Sequence, residues 1–404
     1  MMETAFKWAS LGPNPTQEEI KKEIARLEIL KADQANMDNA LKININSSYG
    51  VLGLVSFICY NRDVAQTITR QSEDLLKTTK EYFDNYFINV LPTKTELLAK
   101  LGITTLPDPN HRRYVNYCDT DSIFVQFKPY YDISDKKMDI NKWLLTLYDL
   151  DFKQYLIDKM FEYCSNYNAF TERPDGKASL ILELENICHA VLMTSKKHYI
   201  KDISWGKGKT FKSRENLVIK GLEANKSATP GFCRKKLKDM INYIMEHGNN
   251  IDTYKLSIMV KNIKEQFIKV PLEEVCKTER VGRYDDYVAN DTTFLEFRPN
   301  AGSHLKGAGF YNYSLARCEN PQVRSKYPRI HGGAKVRWYY IVNKSESVES
   351  FAFMPDHYPT EFAPLIDYDV QFEKTFLNPL NTILLSMGIK QLDPEYVHFD
   401  SFGW

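Results

Sequence analysis

The stretch that most constrains this chain runs Tyr114-Val115-Asn116-Tyr117-Cys118-Asp119-Thr120-Asp121-Ser122-Ile123-Phe124-Val125-Gln126-Phe127. Strand formers lie on both sides of a tight acidic centre, Tyr114, Val115 and Tyr117 before it and Ile123, Phe124, Val125 and Phe127 after it. That pattern predicts a β-hairpin turning at Asp119 to Ser122. Two carboxylates then share one tip. A divalent cation would relieve their repulsion, and hard oxygen donors suit magnesium. On residue type alone a solvated Asx-turn explains the same spacing.

A second stretch, Lys42-Ile43-Asn44-Ile45-Asn46-Ser47-Ser48-Tyr49-Gly50, closes a long helical pattern. It puts Lys42, Asn46 and Tyr49 at i, i+4 and i+7 on one face. A cation, an amide and a phenol in one stripe, beside the side-chain-free Gly50, can grip a triphosphate and lie against a base pair. The bland alternative is a solvated helix stopped by Gly50 as its C-cap.

Lys-x-x-x-Asn-Ser-x-Tyr-Gly followed by Tyr-x-Asp-Thr-Asp-Ser resembles the paired polymerase motifs of family B DNA polymerases. The resemblance extends over residues 16 to 404. Ser195-Lys196-Lys197-His198-Tyr199 is similar to the family's Lys-Lys-x-Tyr element, which holds the primer near its 3′ end. Lys220-Gly221-Leu222-Glu223 and Lys226-Ser227-Ala228-Thr229-Pro230 resemble the palm-to-thumb junction of T-even-like bacteriophage replicative polymerases, and Asp367 to Leu380 resembles their last thumb helix.

The resemblance implies an α+β fold of right-hand architecture, with part of the fingers, most of a palm built on an antiparallel sheet, and a thumb. The expected divisions are 1–54 for the C-terminal portion of the fingers, 55–221 for the palm, 222–395 for the thumb and 396–404 for a clamp-binding tail. Implied roles follow residue by residue. Asp121 is the chief ligand of two magnesium ions, for which manganese can substitute, and Asp119 binds or orients them. Lys42 neutralises triphosphate charge, and Asn46, Tyr49, Gly50 and Ser122 shape the dNTP site. Lys196, Lys197, Tyr199, Lys220 and Lys226 grip primer-template DNA. Glu183 and Glu185 support the acidic site, and Phe399, Phe402 and Trp404 dock on a sliding clamp. Cys118 stands where the phage relatives usually have glycine.

One motif is missing. Two-metal phosphoryl transfer needs carboxylates converging from different strands, and the family's Asp-x-x-Ser-Leu-Tyr-Pro motif, which brings one of them, does not occur in this sequence. The expectation is therefore the C-terminal subunit of a split DNA-directed DNA polymerase, inactive until an N-terminal chain supplies that aspartate and the exonuclease. A non-catalytic DNA- and clamp-binding subunit is the alternative; intact Asp119, Asp121 and Lys42 speak against it. An RNA polymerase or primase is a third reading.

Composition sets the bounds. At 404 residues, 43% hydrophobic and 26% charged, the chain is globular with ample core, and its net charge is only +1. The charge is unevenly spread. Between Lys196 and Lys238, thirteen Lys and Arg face three acids, Asp202, Glu215 and Glu223. That segment would release counterions on a phosphate backbone. Cysteines 59, 118, 164, 188, 233, 276 and 318 are scattered without Cys-x-x-Cys, which fits free thiols in a reducing compartment. No run is long and apolar enough for a membrane span, and Met1 to Ser10 lacks a signal-peptide core. No membrane partner is expected, and the location is cytoplasmic, in the host if the source is viral.

In chain order, Thr16 and Glu19 fit a capping box, and Ile20, Ile24, Leu27, Leu30, Met37 and Leu41 approximate an apolar helical face. In the resembled family this is the second of two finger helices. Val51 to Tyr86 reads as strand and then helix, with Phe57, Tyr60, Ala65, Ile68 and Leu75 as core, and 91 to 112 as loop-rich. Residues 141 to 169 read as helical, and Ile181 to Glu185 as a strand with both glutamates on one face. Thr229 as N-cap and Pro230 open a helix to Gly248; Asp252 and Thr253 open another, ending at Pro271. Phe310 to Tyr313 and Trp338 to Val342 read as strands.

Overall fold

In a computed structural model, residues 15–120, 122–166, 180–342, 344–345 and 348–393 are described. Asp121 and the expected clamp-binding residues Phe399, Phe402 and Trp404 lie outside them. The chain divides into two compact units, Met1–Glu183 and Leu184–Trp404. All paired strands are antiparallel, which gives the expected α+β class.

The first unit opens with α1 (Gln17–Leu52), and the capping box forms as expected: Glu19 N–H donates to Thr16 Oγ1 (3.3 Å), and Thr16 N–H donates to Glu19 Oε2 (2.8 Å). The helix passes straight through Gly50 and stops at Gly53, so Gly50 is no C-cap. Its apolar stripe is not core either. Ile24, Leu27, Leu30, Met37 and Leu41 are 39–62% exposed, and the buried residue of α1 is Glu23, paired with Arg26 at 2.7 Å.

Val51 to Tyr60 makes no strand. Successive tight turns, Phe57 N–H to Leu54 O and Tyr60 N–H to Phe57 O at 2.9 Å each, fold it instead, and Tyr60 and Ile68 are exposed. α2 (Arg62–Asn85) follows, capped by Asn61. Only its last turns are buried, where Phe83 leads into a π-type turn holding Tyr86 and Phe87. These rings seed an aromatic core: Phe87 stacks on Tyr114 at 5.0 Å and meets Phe152 at 5.4 Å.

The expected loop at 91 to 112 contains α3 (Thr95–Lys100), and Leu91, Leu97, Leu98, Leu101 and Ile103 are buried. β1 (Val115–Asp119) and β2 (Ser122–Val125) form the hairpin. α4 (Lys128–Asp132), α5 (Ile140–Leu147) and α6 (Lys153–Ser165) complete the unit. Trp143 Nε1 donates to Leu101 O (3.0 Å) and Tyr130 Oη to Phe87 O (2.6 Å), so these helices are fixed by buried polar contacts as well as packing.

The second unit has two cores. In the first, β3 (Asn186–Ser195), β4 (His198–Gly206), β5 (Lys209–Thr210) and β6 (Leu217–Lys220) form a sheet around β4. α7 (Gly231–His247) and α8 (Thr253–Phe267) pack there with Ile200, Ile219, Ile241 and Phe267 in one cluster. The N-cap of α7 is Pro230, one residue later than expected, and α8 stops at Phe267, short of Pro271. Residues 180–185 form no strand; β3 begins only at Asn186.

The second core follows α9 (Leu272–Val275), β7 (Lys277–Arg280), α10 (Tyr284–Tyr287), β8 (Val288–Asp291) and β9 (Leu295–Phe297). Phe310 to Tyr313 is not a strand but part of α11 (Ser303–Arg317). The reason is a helical stripe: Leu305, Ala308, Tyr311 and Leu315 are all buried. After α12 (Pro321–Lys326), the expected strand forms as β10 (Lys335–Tyr340), paired between β7 and β11 (Ser350–Phe353). Ile341 then makes a single bridge to Ile366, and Val342 is exposed. Asp367 caps α13 (Tyr368–Phe372), which continues through a π-type turn into α14 (Asn378–Ser386) and returns Phe372, Phe376 and Leu380 to the first core.

Gly307 lets α11 lie on β11. A Cβ there would meet the backbone of Phe351 and Ala352 at 3.0 Å, and backbone cannot rotate away. Gly307→Val is expected to cost about 1–3 kcal/mol, read as a lower denaturation midpoint of the second unit.

Candidate active site and nucleic-acid interface

The hairpin is built from α2 outward. Asp84, in the last turn of α2, accepts the backbone N–H groups of Tyr114 (2.7 Å) and Val115 (3.0 Å), which fixes where β1 starts. The strands then pair Tyr117 with Phe124, Cys118 with Ile123 and Asp119 with Ser122. The chain therefore reverses direction between Asp119 and Ser122, where the sequence placed the turn. Thr120 has φ +54°, a left-handed conformation that a β-branched residue adopts at a cost. Ser122 Oγ donates to Asp119 O (3.1 Å) and Thr120 Oγ1 to Asp119 Oδ1 (3.2 Å), so hydroxyls on both sides hold the end of β1.

Asp119 is half-buried at that end. A carboxylate fixed by backbone pairing fits one position of a hard-cation ligand set. Among the described residues no three His, Cys, Asp or Glu side chains gather to hold a metal, so Asp119 fits as a member of a set and not as a site in itself. Cys118 adds no charge here: burial pushes its thiol above the ordinary range, with Asp84 raising it further against Lys80 and Arg113.

Lys42, Asn46 and Tyr49 stand one above another on α1, all exposed, and Lys42 makes no ion pair among the described residues. Ser47 and Ser48 donate to Asn44 O at 3.0 and 2.8 Å, which turns their hydroxyls back onto the helix. A Cβ on Gly50 would meet nothing within 4 Å. The stripe is thus a flat, open, singly cationic surface.

The family model of DNA polymerase family B matches residues 16–143, a span that contains both stretches. Over this segment the chain is similar to DNA polymerase family B. The chain is 27% identical over 360 residues to the DNA-directed DNA polymerase of Escherichia phage RB69, covering 84% of this chain and 36% of that protein. It is 30% identical over 110 residues to the DNA polymerase catalytic subunit of Alcelaphine herpesvirus 1, covering 26% of this chain and 10% of that one. With DNA polymerase 1 of Sulfolobus acidocaldarius it shares 24% over 243 residues, 58% of this chain and 22% of the relative. The chain spans between 10% and 36% of the length of these relatives.

Beyond the matched segment, the second unit brings Lys196, Lys197, Tyr199 and Lys220 of the expected DNA-binding residues to one end of β4. Lys196 and Lys197 form the two-residue turn from β3, with Lys197 left-handed at φ +64°. Tyr199 pairs in register with Lys220 of β6. Gly221 (φ +74°) locks the group: a Cβ there would collide with the Lys197 carbonyl and come within 2.7 Å of the His198 ring. Lys226 follows a 3-10 turn and pairs with Glu223 at 2.7 Å. Glu183 and Glu185 are exposed in the segment before β3.

Sequence reasoning gave no role to Asp84, which accepts two backbone N–H groups, or to Gly221, which lies against the Lys197 carbonyl. Among the described residues no helix is long and apolar enough to cross a membrane. Asp84→Ala leaves two backbone N–H groups without their acceptor, at about 1–3 kcal/mol. Amide exchange across 114–125 is expected to accelerate, with α11 unaffected.

Proposed function

We propose that this chain carries the nucleotidyl-transfer centre of a phage-type family B DNA-directed DNA polymerase, extending a primer 3′ end with dNTPs. The observation that carries the reading is the presence, within the one segment that matches the family B model, of the β-hairpin ending at Asp119 and the Lys42–Asn46–Tyr49 stripe. The 84% coverage against the phage polymerase supports extending it to the basic end of β4.

In this reading Asp119 and Asp121 hold divalent metal, magnesium by preference. When bound, two such ions activate the primer hydroxyl and neutralise the triphosphate. Lys42 adds a fixed positive charge to the triphosphate, and Asn46, Tyr49 and Gly50 offer a flat face to the nascent base pair, with Ser122 closing the turn beside them. Lys196, Lys197, Tyr199, Lys220 and Lys226 hold the primer-template backbone, with Glu183 and Glu185 supporting the acidic site. The fingers, palm and thumb divisions at 54, 221 and 395 belong to the same reading.

The carboxylate of the Asp-x-x-Ser-Leu-Tyr-Pro motif comes from polypeptide beyond these residues; in the split arrangement it is a separate N-terminal chain. The exposed apolar stripe of α1, from Ile24 to Leu41, supports a protein contact there. Phe399, Phe402 and Trp404 dock on a sliding clamp.

Primer extension tests this. The chain together with a polypeptide carrying the absent motif should extend a primer, and Asp121→Ala should reduce the rate at least roughly a thousandfold, matching several kcal/mol of lost charge stabilisation. Lys42→Ala should lower kcat/KM for dNTP by roughly ten- to a hundredfold, the worth of a charged hydrogen bond. No extension by the wild-type combination would sink the proposal. Deleting residues 396–404 should leave distributive synthesis intact and remove the clamp-dependent gain in processivity; an unchanged gain would remove the clamp contact.

A further inference from the structure

The far end of β4 carries a second basic turn. Trp205 pairs with Thr210 and Gly206 with Lys209, so Lys207 and Gly208 form a two-residue hairpin turn with φ of +49° and +75°. Positive φ at both positions normally selects Asn-Gly or Gly-Gly. Here a lysine takes the first position, as Lys197 takes a left-handed one at the opposite end of the same strand.

The return limb is rigid. Phe211 N–H donates to Ser204 O (2.8 Å), and Phe211 O lies 3.2 Å from His189 Nε2. Asp202, 2% exposed, accepts from Ser213 Oγ (3.1 Å) and Arg214 N–H (2.8 Å), and Arg214 is tied to Glu246 at 3.0 Å. That clamp leaves Lys207, Lys209 and Lys212 exposed, and none of them makes an ion pair among the described residues. Glu215 turns its carboxylate to the Lys212 backbone N–H (2.8 Å). Three exposed cations thus stand on the turn and return limb of this hairpin, and Glu185, next to the partner of Gly206, and Glu215 are exposed acids near it.

Nine strand residues, His198 to Gly206, separate the two lysine turns. At about 3.3 Å per residue they lie roughly 30 Å apart at full extension. Phosphates on one strand of B-DNA advance about 3.4 Å per base pair, so the spacing corresponds to roughly nine base pairs, close to one helical turn. We propose that the β4–β5 hairpin is a second duplex contact, with Lys207, Lys209 and Lys212 meeting the phosphate backbone about one turn upstream of the primer end. This rests on the Lys196–Lys197 turn as the primer-end contact. A regularly spaced polyanion fits two basic turns at opposite ends of one strand better than a compact acidic protein surface does.

The test uses the full chain and two loop-closed primer-templates, with stems of about 5 and about 12 base pairs, followed by fluorescence anisotropy over a salt series. The hairpin variant is Lys207→Asn with Lys209→Gln, since asparagine tolerates left-handed φ. The comparator is Lys196→Gln with Lys197→Asn. On the long stem the hairpin variant should bind roughly ten- to a hundredfold more weakly near 0.1 M salt, and the slope of log K against log salt should flatten by about 1.8, or 0.9 for each phosphate that is no longer neutralised. On the short stem it should match wild type, while the comparator weakens on both. Wild-type binding by the hairpin variant on both stems would overturn the contact, and an equal loss on both would overturn its one-turn placement. If the comparator binds like wild type, the primer-end reading fails, and the long-stem slope still reads the hairpin.

Discussion

One carboxylate sets the geometry of the first unit. Asp84 takes two consecutive backbone N–H groups at the start of β1, and in doing so it joins the end of a helix to the first residue of a hairpin. Five residues on, the strand ends at Asp119. A short two-stranded ribbon is marginal in isolation, so its tip holds position only if its root is held. The root is held twice, by this ionic clamp and by the Phe87–Tyr114 stack with Tyr130 beneath it. The half-buried Asp119 at the end of β1 is placed by this root support rather than by the short ribbon itself.

The second unit solves a related problem with sterics instead of charge. At the Lys196–Lys197 turn the chain returns so closely that residue 221 can be nothing but glycine without a shift of backbone. That approach puts Lys220 beside Tyr199 across the β4–β6 register. At the other end the buried Asp202 plays the part that Asp84 plays in the first unit, accepting a backbone N–H and a hydroxyl to fix a limb. Asp84 and Asp202 each accept backbone N–H groups and so fix the backbone that carries the charged side chains, while Gly221 does so by leaving room.

The hairpin turn, the Lys42 stripe and the capping box were legible because each depends on neighbours within a few residues, as does the Asp252 cap of α8. The misreadings share a cause as well. Phe310 to Tyr313 looks like a strand in a window of four; in a window of eleven, Leu305, Ala308, Tyr311 and Leu315 show the helical repeat. Asp84 carried no local signature, since an acid near a helix C-terminus is ordinarily unfavourable. Its reason lies thirty residues away in the N–H groups it binds. Gly221 is the same case: its φ is readable as a turn, but the carbonyl it must clear is not.

The apolar repeat of α1 is the instructive exception. Its period is right for a buried face, the helix forms, and yet Ile24, Leu30, Met37 and Leu41 stay 45–62% exposed. Periodicity reports that a face is made to be covered; it does not say by what. Over 36 residues, intrinsic propensity, the Thr16–Glu19 box and the Glu23–Arg26 and Glu18–Lys22 pairs contribute tenths of a kcal/mol to about one each. Burying four large apolar side chains contributes about 1.5–3 kcal/mol apiece. Burial of that stripe would therefore outweigh every local contribution to this helix, the same helix that carries Lys42, Asn46 and Tyr49.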